Sequence, residues 1–222
     1  MGVITPVWRV IMTHISGEPV SKGEKIEYPA ARRREMDGII KEIEGRKARR
    51  ALSTKAVPED VVKRLLTAGT YAPSCFNNQP WRFVVVEGEK VAARIGEHLP
   101  GANYWVKKSP LVILVCTRRD LDCDLSEGRE YALFDAGLAA ENIILQAQQE
   151  GLIAHPIAGF KPVPIKKEVG IPEDFTLLTL IVLGYPGDMK DLSEKHRESE
   201  AAPRERKPIE EVAFRNSWGE AF

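Results

Sequence analysis

Three cysteines, at positions 75, 116 and 123, are all that this chain of 222 residues carries. Their number is odd and no C-x-x-C spacing occurs, so the sequence offers no disulfide framework and no metal-ligand pattern. Net charge is lacking too: 32 Lys and Arg balance 32 Asp and Glu. That balance argues against a general nucleic-acid binder or a polybasic membrane surface. No apolar run approaches transmembrane length. No Lys or Arg precedes Arg9, and Thr5-Pro6 interrupts the apolar start, so a secretory signal is not read and a cytoplasmic location is expected. Also missing are a strand followed by G-x-G-x-x-G, a Walker A sequence, a G-x-S-x-G elbow and H-E-x-x-H. Their absence removes the usual signatures of a stably bound dinucleotide, a P-loop nucleotide, a serine hydrolase and a zinc peptidase.

What remains is a chain long enough to bury a sizeable core, with one domain plus appendages as the natural organisation. Residues 1–35 read as an N-terminal extension: Ser16 to Lys25 is rich in Gly, Ser, Pro and charge, Arg32-Arg33-Arg34 closes the segment, and Met36 offers an alternative start. From there the pattern changes. Ile39, Ile40 and Ile43 fall at helical spacing and Gly45 ends the run. A second helix is predicted from about Pro58, with Glu59 and Asp60 in its first turn and Val61, Val62, Leu65, Leu66 and Ala68 as its stripe. Phe83 to Glu87 reads as a strand, Lys90 to His98 as a short helix, and Leu111 to Thr117 as an uninterrupted apolar strand, hence central. Glu127 to Glu150 is predicted as the longest helix, apolar over so wide an arc that it must pack on more than one side, as a core or dimer-interface helix does. A short helix around Ile165 to Val169 and a strand from Thr176 to Leu183 complete a core spanning 36–187. Residues 188–222 form a charged tail with too little apolar material for its own core, either disordered or laid along another surface. The alternation of helices and strands gives α/β or α+β.

The stretch Ala72-Pro73-Ser74-Cys75-Phe76-Asn77-Asn78-Gln79-Pro80-Trp81-Arg82-Phe83 joins the second helix to the first strand. Its prolines stiffen it, and its Ser and Asn side chains supply turn chemistry and hydrogen bonds rather than core. Composition alone also suits an ordinary helix-to-strand connection. Cys75 within it reads as a loop lining more than a reactive thiol. Cys116 ends an apolar run and reads as a small buried hydrophobe. Cys123, in Asp120-Leu121-Asp122-Cys123-Asp124, reads as part of a solvated loop, since the glycine and terminal glutamate of a calcium loop are missing. Two basic clusters stand apart. Arg46, Lys47 and Arg50 lie near the start of the core, and Arg46 and Arg50 would share a face of a helical turn. Arg204 and Arg206 lie in the tail. Guanidinium forks suit phosphate oxygens, although a solvated basic face is the plainer alternative. The third feature is Pro156-Ile157-Ala158-Gly159-Phe160, an exposed turn in which Gly159 lets backbone amides approach a ligand. His155 beside it reads as structural or solvated rather than as a catalytic acid.

The pattern A-P-S-x-x-N-x-Q-P-W-x-F resembles the signature loop of the FMN-dependent nitroreductase family, and the resemblance runs over most of Asp37 to Val212. It implies an α+β nitroreductase-like fold, with a central mixed or antiparallel sheet flanked by helices. It further implies a homodimer with FMN at the subunit interface and a C-terminal tail extending onto the partner. Arg46, Lys47, Ala48 and Arg50 match the basic motif that grips the FMN phosphate and ribityl chain, with Ala48 in place of the usual serine. Arg204 and Arg206 match the basic residues of the tail that close the phosphate site. Pro156, Ala158 and Gly159 match a turn whose backbone amides face the flavin N5 and O4 edge, with Ala158 in place of the familiar glutamate. Pro73, Ser74, Cys75 and Asn77 match the lining of the isoalloxazine from the second subunit. The activity implied is hydride transfer from NAD(P)H through the flavin to an electron-poor small molecule such as a nitroaromatic or quinone. Because the flavin carries that chemistry, no catalytic side chain and no metal are expected. Reductive dehalogenation, dehydrogenation of a small metabolite, and a non-catalytic flavin-binding module are the alternatives.

Overall fold

The computed structural model describes residues 38–222, and Glu35–Phe222 form one compact unit. The reading of residues 1–35 as an extension lies outside the described residues. The chain runs through α1 (Lys41–Gly45), α2 (Glu59–Thr70), β1 (Arg82–Glu87), α3 (Glu89–Gly96), β2 (Leu111–Thr117), α4 (Tyr131–Gln149), β3 (Ile153–Ile157), α5 (Pro162–Val169), β4 (Thr176–Gly184), α6 (Glu194–Ala201) and α7 (Ile209–Val212), with a 3-10 helix at Gly101–Lys108. The sheet has four strands in the order β1-β2-β4-β3, and every pairing is antiparallel.

Strand β2 explains why the protein is layered. All seven of its residues are buried, and successive side chains of a strand point to opposite faces. Leu111, Ile113 and Val115 join Ile181 and Leu183 of β4 against α2 and α4. Val112, Leu114 and Cys116 join Leu180 and Val182 against Ile95 of α3, Trp105 and Val106 of the 3-10 helix, and Ile165 of α5. A sheet covered on both faces needs continuous apolar strands, as these are.

Helix α4 approaches its neighbours through small residues. Ala132, Ala136, Ala139, Ala140 and Ala147 are buried along it. Opposite, a Cβ at Gly69 of α2 would stand 3.0 Å from Ile143 Cγ1. Asn142 Nδ2 ties the two helices by donating to the Ala68 carbonyl at 3.1 Å. The broad apolar arc is thus met largely within the chain, while Phe134 and Gly137 face solvent.

Several expectations change. The longest helix begins at Tyr131 rather than Glu127, because Glu127 and Gly128 are both left-handed, with φ of 63° and 68°. Ile39, Ile40 and Ile43 have helical spacing, yet they are 41%, 55% and 46% exposed and only one short turn of helix forms beside them. Ile153–Ile157 is a strand, not the lead into a turn. Residues 46–50 are extended rather than helical, so Arg46 and Arg50 are not placed by an i, i+4 relation.

That extended segment is fixed at its C-terminal end. Gly187 N–H donates to the Ala51 carbonyl at 2.8 Å and Ser53 N–H to the Tyr185 carbonyl at 2.8 Å. Leu52 pairs with Pro186 as a bridge. The contact is tight enough that a Cβ at Gly187 would lie 2.4 Å from the Leu52 carbonyl carbon. Gly187→Ala should therefore push the basic segment off the end of β4 and destabilise the protein by about 1–3 kcal/mol. A urea unfolding series checks this, with an unchanged midpoint contradicting the close approach.

Candidate functional site

The basic segment crosses the molecule's own C-terminal region. Glu200, the next-to-last residue of α6, is only 3% exposed. Its Oε1 accepts the Arg50 N–H at 2.7 Å, and its Oε2 lies 3.8 Å from Arg49 Nη1. Lys47 Nζ donates to the Glu200 carbonyl at 2.9 Å and to that of Ala202. Burial, and then Arg49, hold the Lys47 ammonium below its ordinary pKa, with Glu200 opposing them. Arg204 is equally committed: its guanidinium donates to the carbonyls of Ile43, Glu44 and Arg46 and so closes the C-terminal end of α1. The start of the tail is thus laid along the chain's own basic segment.

The side chains of Arg46 and Arg50 differ from these. Neither makes a hydrogen bond or ion pair among the described residues. Both bear electrostatically on His155 of β3. That histidine is buried, its ring packs on Trp105 with centroids 4.8 Å apart, and its Nδ1 stands 3.0 Å from the Arg49 carbonyl. A carbonyl can only accept, so Nδ1 carries the proton. Burial foremost, with the Arg50 and Arg46 charges behind it, pushes the His155 pKa down to about 4 against the pull of the Arg49 carbonyl. His155 is therefore a neutral structural residue that anchors the basic segment to β3.

One residue further, Pro156 turns outward while Ile157 turns in, and Ala158 and Gly159 are exposed. Asn103 Nδ2 holds the turn by donating to the Gly159 carbonyl at 3.1 Å. The amides of Ala158 and Gly159 give no backbone hydrogen bond among the described residues. Two uncommitted guanidinium groups and two unspent amides therefore share the β3 edge. That donor set fits an anionic group joined to a ring with acceptor atoms along one side. Arg206 is exposed further along the tail, its Nη1 on the Glu205 carbonyl at 2.6 Å, and Ala48 is half-buried.

The signature loop lies elsewhere. It enters β1, at the opposite edge of the sheet from β3 and three strand spacings away, roughly 14 Å. Pro73 is exposed, Ser74 and Cys75 are half-buried, and Phe76 is 92% exposed. Phe76, Asn77 and Gln79 are left-handed with φ of 47°, 60° and 51°, a conformation that non-glycine residues adopt at a cost. Local bonds hold it: Gln79 N–H donates to Ser74 Oγ at 3.0 Å, and the Arg82 guanidinium donates to the Gln79 and Trp81 carbonyls. Trp81 is buried in the core.

The cysteine reading is corrected here. Cys75 and Cys123 form a disulfide across 48 residues, so the expected solvated loop is bonded to the signature loop. Asp135, buried on α4, accepts the Cys75 N–H at 2.8 Å. Burial holds its carboxyl above the ordinary aspartate range despite that bond, and the neighbouring Asp122 raises it further. Neither Asp135, Asp122 nor Glu200 carried a recognisable signal, because each lies in a helix or loop where an acidic residue is unremarkable.

Comparison with known proteins decides the family. The Nitroreductase family profile matches residues 43–102 and 98–185. The chain belongs to the nitroreductase family. A Methanothermobacter thermautotrophicus relative, whose name joins NADH dehydrogenase and NAD(P)H nitroreductase, is 31% identical over 156 residues, covering 68% of this chain and 78% of its own. The iodotyrosine deiodinase of Thermotoga neapolitana is 26% identical over 166 residues, covering 64% and 84%. Among solved structures, an oxidoreductase described as containing FMN is 26% identical, with a TM-score of 0.73 over 85% of this chain and 96% of that one. The expected family thus stands, and so does an α+β fold with an antiparallel sheet. No helix among the described residues is long and apolar enough to cross a membrane.

In this nitroreductase-family chain, His155 supplies a pH-dependent test of the geometry. Its folded-state pKa lies below the unfolded value of 6.5, so its contribution is complete above pH 6.5 and is lost as pH falls through about 4. The full loss amounts to about 3 kcal/mol. His155→Gln, which can still donate to the Arg49 carbonyl, should flatten that acid limb in chemical unfolding measured from pH 7 to pH 4.

Proposed function

We propose that this protein is an FMN-dependent oxidoreductase that passes reducing equivalents from NAD(P)H to an electron-poor small molecule such as a nitroaromatic or quinone, and that it works as a homodimer. The observation that carries this reading is the split donor set. Uncommitted Arg46 and Arg50 and the free amides of Ala158 and Gly159 stand at the β3 edge, while the signature loop stands at the β1 edge. A second copy related by a two-fold axis would bring the two together, as symmetric dimers commonly do.

When bound, FMN supplies the hydride chemistry. Arg46 and Arg50 hold its phosphate by charge-assisted hydrogen bonds, with Arg206 as a further contact from the tail. Lys47 and Arg204 position rather than grip, since their donors are spent on carbonyls of the same chain. The amides of Ala158 and Gly159 would donate to the polar edge of the ring system. Pro73, Ser74, Cys75 and Asn77 of the partner subunit cover the ring and exclude water. Exposed Phe76, Phe134, Ile209, Val212 and Trp218 supply apolar surface for the second copy and for a tail reaching onto it. The 26% identity to a deiodinase supports reductive dehalogenation as a second reading of the same site.

The test is a visible absorption spectrum of the purified protein, repeated anaerobically with NADH or NADPH, followed by a comparison of nitroaromatic, quinone and halogenated phenol as acceptors. The expected outcome is a flavin spectrum that bleaches. One that persists with both nucleotides would leave only a binding module. Arg46→Ala and Arg50→Ala should each weaken FMN binding by about 1.5–3 kcal/mol, roughly 10- to 100-fold, in a fluorescence titration. Unchanged affinity in both would sink the phosphate assignment.

A further inference from the structure

The Cys75–Cys123 bridge is surrounded by the groups that thiol–disulfide exchange requires. Both cysteines are half-buried beside exposed neighbours, Phe76 and Asp124, so a small thiol can reach a sulfur before flavin covers the loop. The two sulfurs are inequivalent. Asn78 Nδ2 directs an N–H at Cys123 Sγ from 3.6 Å, whereas Cys75 Sγ receives no hydrogen bond among the described residues. A donor at Cys123 stabilises negative charge there and makes that sulfur the better leaving group.

An Asp122 carboxylate oxygen lies within 4.8 Å of both sulfurs. Asp122 Oδ1 accepts from Asn78 at 3.2 Å, so the Asn78 amide is held against Asp122 and Cys123 together. Cys75 begins the short 3-10 turn that carries left-handed Phe76 and Asn77, so the bridge tethers one end of the loop and opening it removes that tether. Cys116, the remaining thiol, is buried in β2 with its pKa pushed up to about 11, which keeps it out of any exchange.

We infer that Cys75–Cys123 is a redox site that exchanges reversibly with small thiols, and that its state sets the shape of the signature loop. A thiolate RS⁻ attacks Cys75 Sγ; the RS–Cys75 bond forms and the bond between the cysteines breaks. The electron pair leaves on Cys123 Sγ, which Asn78 stabilises and which then takes a proton from solvent. A second thiolate then attacks the external sulfur, RS–SR departs, and Cys75 takes a proton from solvent. Two thiols are oxidised to one disulfide while the bridge is reduced to two thiols. The oxidised disulfide RS–SR drives the same sequence backwards.

The experiment equilibrates the full chain, with and without bound flavin and without denaturant, in buffers of graded reduced-to-oxidised glutathione, and the flavin-free protein carries the test. Acid quenching, maleimide labelling and peptide mass analysis then count the thiols. Cys75 and Cys123 should open and reclose together while Cys116 stays unlabelled, and amide hydrogen exchange over residues 73–79 should quicken in the reduced form. Cys123→Ser should accumulate a glutathione adduct at Cys75. Asn78→Ala should slow native-state reduction about tenfold. A bridge that stays closed in excess reduced glutathione while the fold is intact overturns the inference. So does a bridge that opens with no change in exchange over 73–79.

Discussion

A carboxylate with 3% exposure is tenable only if its neighbours replace the water it has lost, and Glu200 is such a group. The Arg50 N–H, the Arg49 guanidinium and the local field of Lys47 meet it on one side of the molecule. Everything proposed for the anion-binding edge depends on this contact. It takes up Lys47 and the backbone of the segment, while the Arg46 and Arg50 side chains have no partner among the described residues. His155 completes the arrangement by donating to the Arg49 carbonyl from β3, so the segment is referenced both to the sheet and to the tail.

How much of this was legible depended on whether a residue's role is written in its periodicity. Strand β2 was, because seven consecutive apolar residues have few alternatives to a doubly covered strand. Strand β3 was not. Ile153-Ala154-His155-Pro156-Ile157 contains a proline, which argues against a central strand but is tolerated at an edge, and β3 is the edge strand. The isoleucines before Gly45 show the converse failure, since helical spacing announced a buried face that the fold leaves half open. For the site, the basic motif and the glycine turn were readable as pieces. Which cations were free was not, because Lys47 and Arg204 are claimed by carbonyls more than 150 residues away or on another turn of chain. No local pattern encodes such a claim.

The signature loop presents the same lesson in a smaller space. Its proline and asparagine content pointed to a stiff, polar connection, and the left-handed Asn77 agrees with the known tolerance of asparagine for that region. Left-handed Phe76 and Gln79 are less expected; local hydrogen bonds hold them, in a loop that is also bridged to a cysteine 48 positions downstream. Spacing rules for cysteine look for pairs that are close in sequence or numerous. A single long-range pair satisfies neither condition, which is why the sparse set read as unpaired.

The pairing of the basic segment with α6 also has a bearing on how the chain is made. Arg50 leaves the ribosome 150 positions ahead of Glu200. Until Glu200 is made the cationic segment lacks that counter-charge, and the β4 end that receives Ala51 and Ser53 is also made long after it. Contacts of such long sequence separation close slowly, because the intervening chain must first be ordered. The first described segment of the molecule is therefore among the last to reach its final position, and a nascent chain halted before α6 would carry an unneutralised positive arm.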